Sequence, residues 1–219
     1  MQSIALFPCS YTNEARIIGE LSNSLHLRVY TDDMLFSDIL EQFGIPVEQL
    51  KRILYGVTPE PKRTRLEKEK HIHLAICSLE ARRSAAPGGF IYYGLHTSLL
   101  NAESHRVLKV LVFDEEQGRI QRAMEQEGFS QDVARDYIKQ HDQKVSGWTQ
   151  FLFNEEAYAQ SLHDLLISCK NKNLLDITTQ IIRRFHDFKR CVSQTRKVCT
   201  LPVSDLRLSE CKRNWLELF

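Results

Sequence analysis

Short apolar runs separated by amphipathic stretches set the pattern of this chain. Ser3–Phe7, Leu27–Tyr30, Phe90–Tyr93, Val107–Phe113 and Leu165–Ser168 are brief and rich in aliphatic or aromatic side chains, as buried strands are. Between them apolar residues recur at helical spacing. Helices are predicted from about Glu14 to Leu25, over Met34–Phe43, from Pro46 to Tyr55, over Arg65–Arg83, near His96–Leu100, twice between Asp114 and Phe153, and from Leu174 to about Val198. Gly44 and Gly128 are placed to stop helices, while Thr31 or Asp32, and Ser130, are placed to cap them. Strand and helix alternate five times. That alternation predicts an α/β, three-layer architecture: a parallel five-stranded sheet with helices on both faces and Ser3–Phe7 central. Ligands of such sheets bind at the carboxyl ends of the strands, here Pro8–Asn13, Thr31–Asp33, Gly94–Thr97 and Asp114–Gln117.

The stretch 114–153 reads as a helical hairpin carrying Arg119, Arg122 and Arg135, with Asp142 and Lys144 on its more polar sides. Arginines on such a hairpin suit a lid that brings cations over transferring phosphates. The plainer reading is a solvated charged face. Strand, loop and helix at the start of the chain occupy the place of a phosphate loop. Yet Pro8–Ala15 holds no glycine to open the backbone toward an anion and no lysine to meet one, and Glu14 would repel a phosphate. On chemistry alone that loop is a structural turn. The cluster Lys62, Arg63 and Arg65 reads as a solvated face. His71 and His73, two apart on a helix, diverge and are expected to be exposed rather than a metal pair.

Composition narrows the classes. The 219 residues suffice for one substantial α/β domain, and 42% hydrophobic with 26% charged residues is ordinary for a globular protein. A net charge of +1 gives no field that would favour nucleic acid or an acidic membrane. No apolar run reaches the roughly 18 residues a membrane helix needs. The opening MQSIALFPC lacks the basic start of a signal peptide, so a cytoplasmic location is expected. The six cysteines form no CxxC pair, which suggests neither zinc site nor redox motif, and all six are expected to be reduced thiols. No metal ligands are assigned. Residues 199–219 form a tail whose Trp215, Leu216, Leu218 and Phe219 are expected to dock on the body or on a partner, a homodimer included.

Four segments carry a family resemblance. RIQRAMEQEGFSQDVARDYIKQHDQKVSGWTQFLF, VYTDDMLF and FIYYGLHTSLL resemble the lid, the segment after the second strand and the segment after the third strand of the bacterial cytidylate kinase-like proteins, a branch of the P-loop nucleoside monophosphate kinases. LHDLLISCKNKNLLDITTQII is similar to that family's last strand and helix. The resemblance runs from Ile4 to about Arg184. It implies a P-loop nucleoside-kinase-like domain over 1–198 with its lid at about 114–153. It also implies phosphoryl transfer from ATP, with Mg²⁺, to CMP or a similar acceptor. In that reading Ser10, Thr12, Asn13 and Arg16 hold the donor phosphates. Asp32 and Asp33 face the acceptor or the metal, His96 binds the acceptor, and Arg119, Arg122, Arg135, Asp142 and Lys144 form the catalytic lid set. The departures fall on the chemistry. Tyr11-Thr12-Asn13-Glu14-Ala15-Arg16-Ile17-Ile18 stands where the family has Y-G-S-G-G-R-E-I, a degenerate phosphate loop, and Leu95 replaces the arginine of the family's G-R-G. Lys144 stands for the usual arginine. Two functions follow: a divergent nucleotide- or anion-binding protein with kinase activity weak or lost, or a non-catalytic regulatory or interaction module on a kinase fold.

Overall fold

The computed structural model describes residues 2–56, 62–100 and 106–188, without the side chains of 62–64. Five strands, β1 (Ser3–Phe7), β2 (Arg28–Thr31), β3 (Phe90–Tyr93), β4 (Val107–Phe113) and β5 (Leu165–Ser168), form one parallel sheet in the order β2-β3-β1-β4-β5. The predicted central strand is central. Helices α1 (Glu14–Leu25), α2 (Asp32–Phe43), α3 (Val47–Tyr55), α4 (Lys62–Ala85), α5 (Glu116–Glu127), α6 (Gln131–Phe153) and α7 (Leu174–Asp187) surround it, with a short 3-10 helix at Leu95–Leu99.

The strand alternation assigns the layers. On one face Ile4 and Leu6 of β1, Ile91 of β3, and Leu108, Val110 and Val112 of β4 meet Ile17 and Leu21 of α1 and Ile177, Ile181 and Phe185 of α7. On the other, Ala5, Phe7, Tyr92 and Leu111 meet side chains from α2, α3, α4 and α6, with Trp148 fully buried among them. Period-two strands buried on both sides leave no polar face, and that is why these segments read as unbroken apolar runs. The α5–α6 hairpin has a small core of its own: Ile120, Ala123, Ala134 and Ile138 close on Tyr11 from the first loop.

Most boundaries agree with the expected ones. β2 begins one residue later, and Thr31 caps α2 by accepting from the Met34 N–H at 3.4 Å, so that helix starts at Asp32. Ser130 caps α6 and the left-handed Gly128 ends α5. His71 is a correction. It is buried, with Nδ1 2.7 Å from the Glu67 carbonyl oxygen, because α4 packs against both α2 and α3. The six reduced thiols are corrected as well. Among the described residues Cys9 and Cys169 are free and buried, but Cys77 is disulfide-bonded. The far end of the predicted last helix and the 199–219 tail lie outside the described residues. No helix among the described residues is long and apolar enough to cross a membrane.

Candidate nucleotide site

At the carboxyl edge of the sheet the chain leaves β1 toward β2 on one side and later crosses to β4 on the other, which opens a crevice above β1. The loop 8–13 fills its floor. Tyr11 (φ 60°) and Asn13 (φ 61°) both take the left-handed conformation although neither is glycine, at a cost of roughly 1–2 kcal/mol each. Side chains hold the loop there. Arg119 donates to the Ser10 carbonyl at 2.9 Å and to Ser10 Oγ at 2.7 Å. Arg122 Nε donates to the Tyr11 carbonyl at 2.5 Å, Gln126 to Asn13 Oδ1 at 3.1 Å, and Thr12 Oγ1 to the Cys9 carbonyl at 2.9 Å. The Thr12 N–H is taken by the chain itself: it donates to Glu14 Oε2 at 2.9 Å.

The hairpin arginines are therefore anchored from α5 onto the loop. Arg119 is 4% exposed. Its two terminal nitrogens form a bidentate pair with Asp142 of α6 at 2.8 Å each, and Tyr158 Oη donates to the same carboxylate at 2.7 Å. Burial opposes ionisation of Asp142, but hydrogen bonds from His141, Arg119 and Tyr158 hold its carboxyl below the usual carboxylate range. Arg122 pairs with the buried carboxylate of Asp114 at the end of β4. Arg135 lies on the hairpin surface beside Asp132 (3.2 Å) and Glu116 (3.9 Å), and Lys144 is exposed on α6.

A second polar cluster lies above β2 and β3. Asp32 accepts from the Leu95 N–H (3.0 Å), the His96 N–H (3.1 Å) and Tyr55 Oη (3.0 Å), and its carboxylate lies 2.6 Å from His96 Nδ1. Burial alone would raise the Asp32 pKa; the His96 ring and the two N–H donors bring it below its ordinary value. Gly94 allows this approach. Its φ is +135°, and a Cβ there would fall 2.4 Å from the Asp32 carboxylate. His96 is fully buried, edge-on to Tyr30 and Tyr92, with no partner for Nε2 among the described residues. Asp33 points elsewhere, exposed and 3.3 Å from Lys51.

The structure thus brings Arg119, Arg122, Asp142, Ser10, Thr12 and Asn13 together, and Asp32 with His96; it sets Arg135, Lys144 and Asp33 on the surface. Tyr158, Asp114 and Tyr55 complete these clusters, and sequence reasoning missed their parts. Asp114 was visible as a carboxylate at a strand end. The tyrosines gave no signal, since Tyr158 is 16 residues from Asp142 and Tyr55 is 23 from Asp32.

Between α1, α5 and the start of α7 lies an open pocket of about 410 Å³. Arg16, Arg122, Lys172, Asn13 and Asn173 supply its polar wall, and Leu174, Leu175 and Ile177 its apolar one. That size falls within the range of small-molecule sites, although the wall is more polar than most. Arg16, exposed on the first turn of α1, enters the site here rather than in the loop. Burial pushes the Cys169 thiol at the rim up to about 11. Among the described residues no group of three or more His, Cys, Asp or Glu converges as a metal site.

A model of the cytidylate kinase-like family matches residues 10–171. Among solved structures, an uncharacterized protein from Eubacterium ventriosum superposes with a TM-score of 0.60 at 14% identity, over 85% of this chain and 98% of the other. A gluconokinase from Sinorhizobium meliloti (TM-score 0.47, 12% identity, 84% and 91% covered) and a shikimate kinase from Bacteroides thetaiotaomicron (0.45, 12%, 85% and 98%) are more distant. No curated protein matches.

Proposed function

We infer the function from one premise: the chain belongs to the cytidylate kinase-like family. It is a nucleotide- or anion-binding protein on a kinase-like fold, in which ATP-dependent phosphorylation of a nucleoside monophosphate is weak or lost. One observation carries this reading. Arg119 and Arg122, the cations expected over the transferring phosphoryl group, are both bound to the protein itself, to Asp142 with Ser10 and to Asp114 with the Tyr11 carbonyl. Phosphoryl transfer depends on positioning and on cations aimed at the charge that develops. An arginine that already spends its donors on a carboxylate, a hydroxyl and a carbonyl must give up some of those charge-assisted hydrogen bonds to serve a substrate.

The residues present do not fit a bound Mg·ATP. The loop has no lysine, its Thr12 N–H is occupied by Glu14, and Asp114 and Asp32 are engaged by Arg122 and by four donor groups. No chemical step is assigned through that cofactor. The pocket beside the loop is what supports ligand binding, with Arg16 and Lys172 across from Leu174, Leu175 and Ile177. The same internal satisfaction of both polar clusters favours a second reading, a non-catalytic regulatory or interaction module that needs no ligand to stand.

A coupled ADP-release assay with CMP, UMP and dCMP at saturating Mg·ATP tests the first reading. Turnover is expected well below the ordinary kinase range of about 1–100 per second; a rate inside it would overturn the reading. Thermal stabilisation by a nucleotide panel separates the two readings. A ligand at about a hundred times its Kd adds about 2.7 kcal/mol, and no shift with any nucleotide supports the non-catalytic module.

A further inference from the structure

On the α6 side of the sheet lies a second, much smaller cavity of about 10 Å³, with Phe7, Ser98, Lys109, Phe153 and His163 on its wall. That is room for one group the size of a water molecule or a monatomic ion. His163 tilts against Phe7, with 5.2 Å between ring centres. Both of its ring nitrogens are shut off from solvent and have no partner among the described residues. Buried imidazoles ordinarily have their nitrogens met, so this ring calls for a group that the chain itself does not supply. The other polar side chains at the cavity are donors. Lys109 of β4 brings a cation, and Ser98 of the 3-10 helix, 7% exposed, brings a hydroxyl. Thr97 has spent its hydroxyl proton on the Gly94 carbonyl at 2.7 Å. Among the described residues no carboxylate lines the cavity; Asp164, next to His163, accepts from the Lys109 N–H at 2.9 Å.

We propose that this cavity is a site for one small monovalent anion of the halide class, held by His163 with Lys109 and Ser98. The inference is independent of the nucleotide-binding reading above. An ammonium, a hydroxyl and an imidazole N–H leave the acceptor role to the ligand. The aromatic rings of Phe7 and Phe153 beside them favour an ion that sheds its water at little cost, and the size of the cavity excludes phosphate and sulfate. Binding is coupled to a proton. Burial, and after it the Lys109 charge, keep the free His163 ring neutral at pH 7. An anion offsets that charge and favours the imidazolium, in which both nitrogens carry N–H donors. The bound ion would join β1 and β4 to the 3-10 helix and to the end of α6.

NMR titration of the full chain tests this, with the His163 ring resonances assigned by their loss in His163→Phe and in His163→Gln. At equal ionic strength, chloride is expected to raise the His163 pKa by about one unit or more over gluconate, an anion too large to enter. That is about a tenfold preference of chloride for the protonated ring. The effect is expected to saturate, with chloride affinity about fivefold weaker in Ser98→Ala through the loss of one hydrogen bond. Crystals grown in bromide are expected to show the anomalous peak against His163 and Lys109. Because the folded pKa of His163 lies below its unfolded value, raising it makes the loss of stability on acidification smaller in chloride than in gluconate, a difference absent from both His163 variants. The pKa and the bromide position are read on the wild type, so a variant that fails to fold leaves both standing. A His163 pKa equal in the two salts, a chloride effect on stability that never saturates or that persists in both His163 variants, or a bromide-grown crystal with an ordinary water in the cavity overturns the site.

Discussion

Two polar clusters crown the same sheet and have opposite logic. Over β1 and β4, an arginine is the buried centre: Arg119 reaches one carboxylate, one hydroxyl and one carbonyl, tying α5 to α6 and to the first loop. Over β2 and β3, a carboxylate is the centre: Asp32 gathers two backbone N–H groups, a phenol and an imidazole, tying α2 to α3 and to the 3-10 helix. The first cluster borders an open pocket with Arg122, Arg16 and Lys172 on its wall, whereas the second is closed over by Tyr55, which packs edge-on against Trp148, itself bonded to the Leu95 carbonyl at 2.8 Å. The difference is one of access: both centres are satisfied within the chain, but the first stands beside an open pocket while the second is covered by aromatic rings.

Arg119→Met is the harshest test of the first cluster. It leaves the Asp142 carboxylate without its guanidinium, and urea unfolding should show a loss of about 3 kcal/mol, the low end for a broken buried pair because Asp142 is 34% exposed. A loss below about 1 kcal/mol would mean that the hairpin is not held by this pair. Gly94→Ala probes the second cluster and should cost about 2–3 kcal/mol, since both the positive φ and the approach of Asp32 forbid a Cβ. A neutral result would show the cluster to be loosely packed.

His163 offers a contrast to both clusters. Its two ring nitrogens are buried with no partner among the described residues, beside Phe7 and near Lys109, and burial lowers its pKa to about 4. The unfolded chain then binds a proton that the folded chain refuses, so stability should fall as the pH drops from about 6.5 toward 4 and level off below that, by on the order of 2 kcal/mol. In His163→Phe the fall should be shallower by about that amount; an unchanged pH profile would assign the slope to other groups. Asp32→Asn is the mildest change, expected to cost about 1–2 kcal/mol at pH 7 through weakened hydrogen bonds. Because the folded pKa of Asp32 lies below its unfolded value, its contribution is present above the unfolded pKa of about 3.9 and is lost as the pH falls through the folded value. The variant should therefore lose less stability than the wild type below pH 4, and parallel acid limbs would count against the role of Asp32.

The amino-acid sequence by itself determined the architecture. Five short apolar runs at alternating spacing with helices leave a parallel two-sided sheet as the natural arrangement, and local signals such as Thr31, Ser130 and Gly128 marked helix ends because capping is a matter of neighbours a few residues apart. It also put Ser10, Thr12, Asn13, Asp32 and His96 in the segments that follow the strands at the carboxyl edge of that sheet. Only the tertiary structure decided what those groups do there. Arg119 finds Ser10 across 109 residues and Asp142 across 23, and Tyr11 holds a left-handed turn that its side chain alone resists because Arg122 grips its carbonyl. Contacts of that separation depend on loop closure and packing rather than on local propensity, and so the partner of a charge, unlike the helix that carries it, is settled only when the chain has folded.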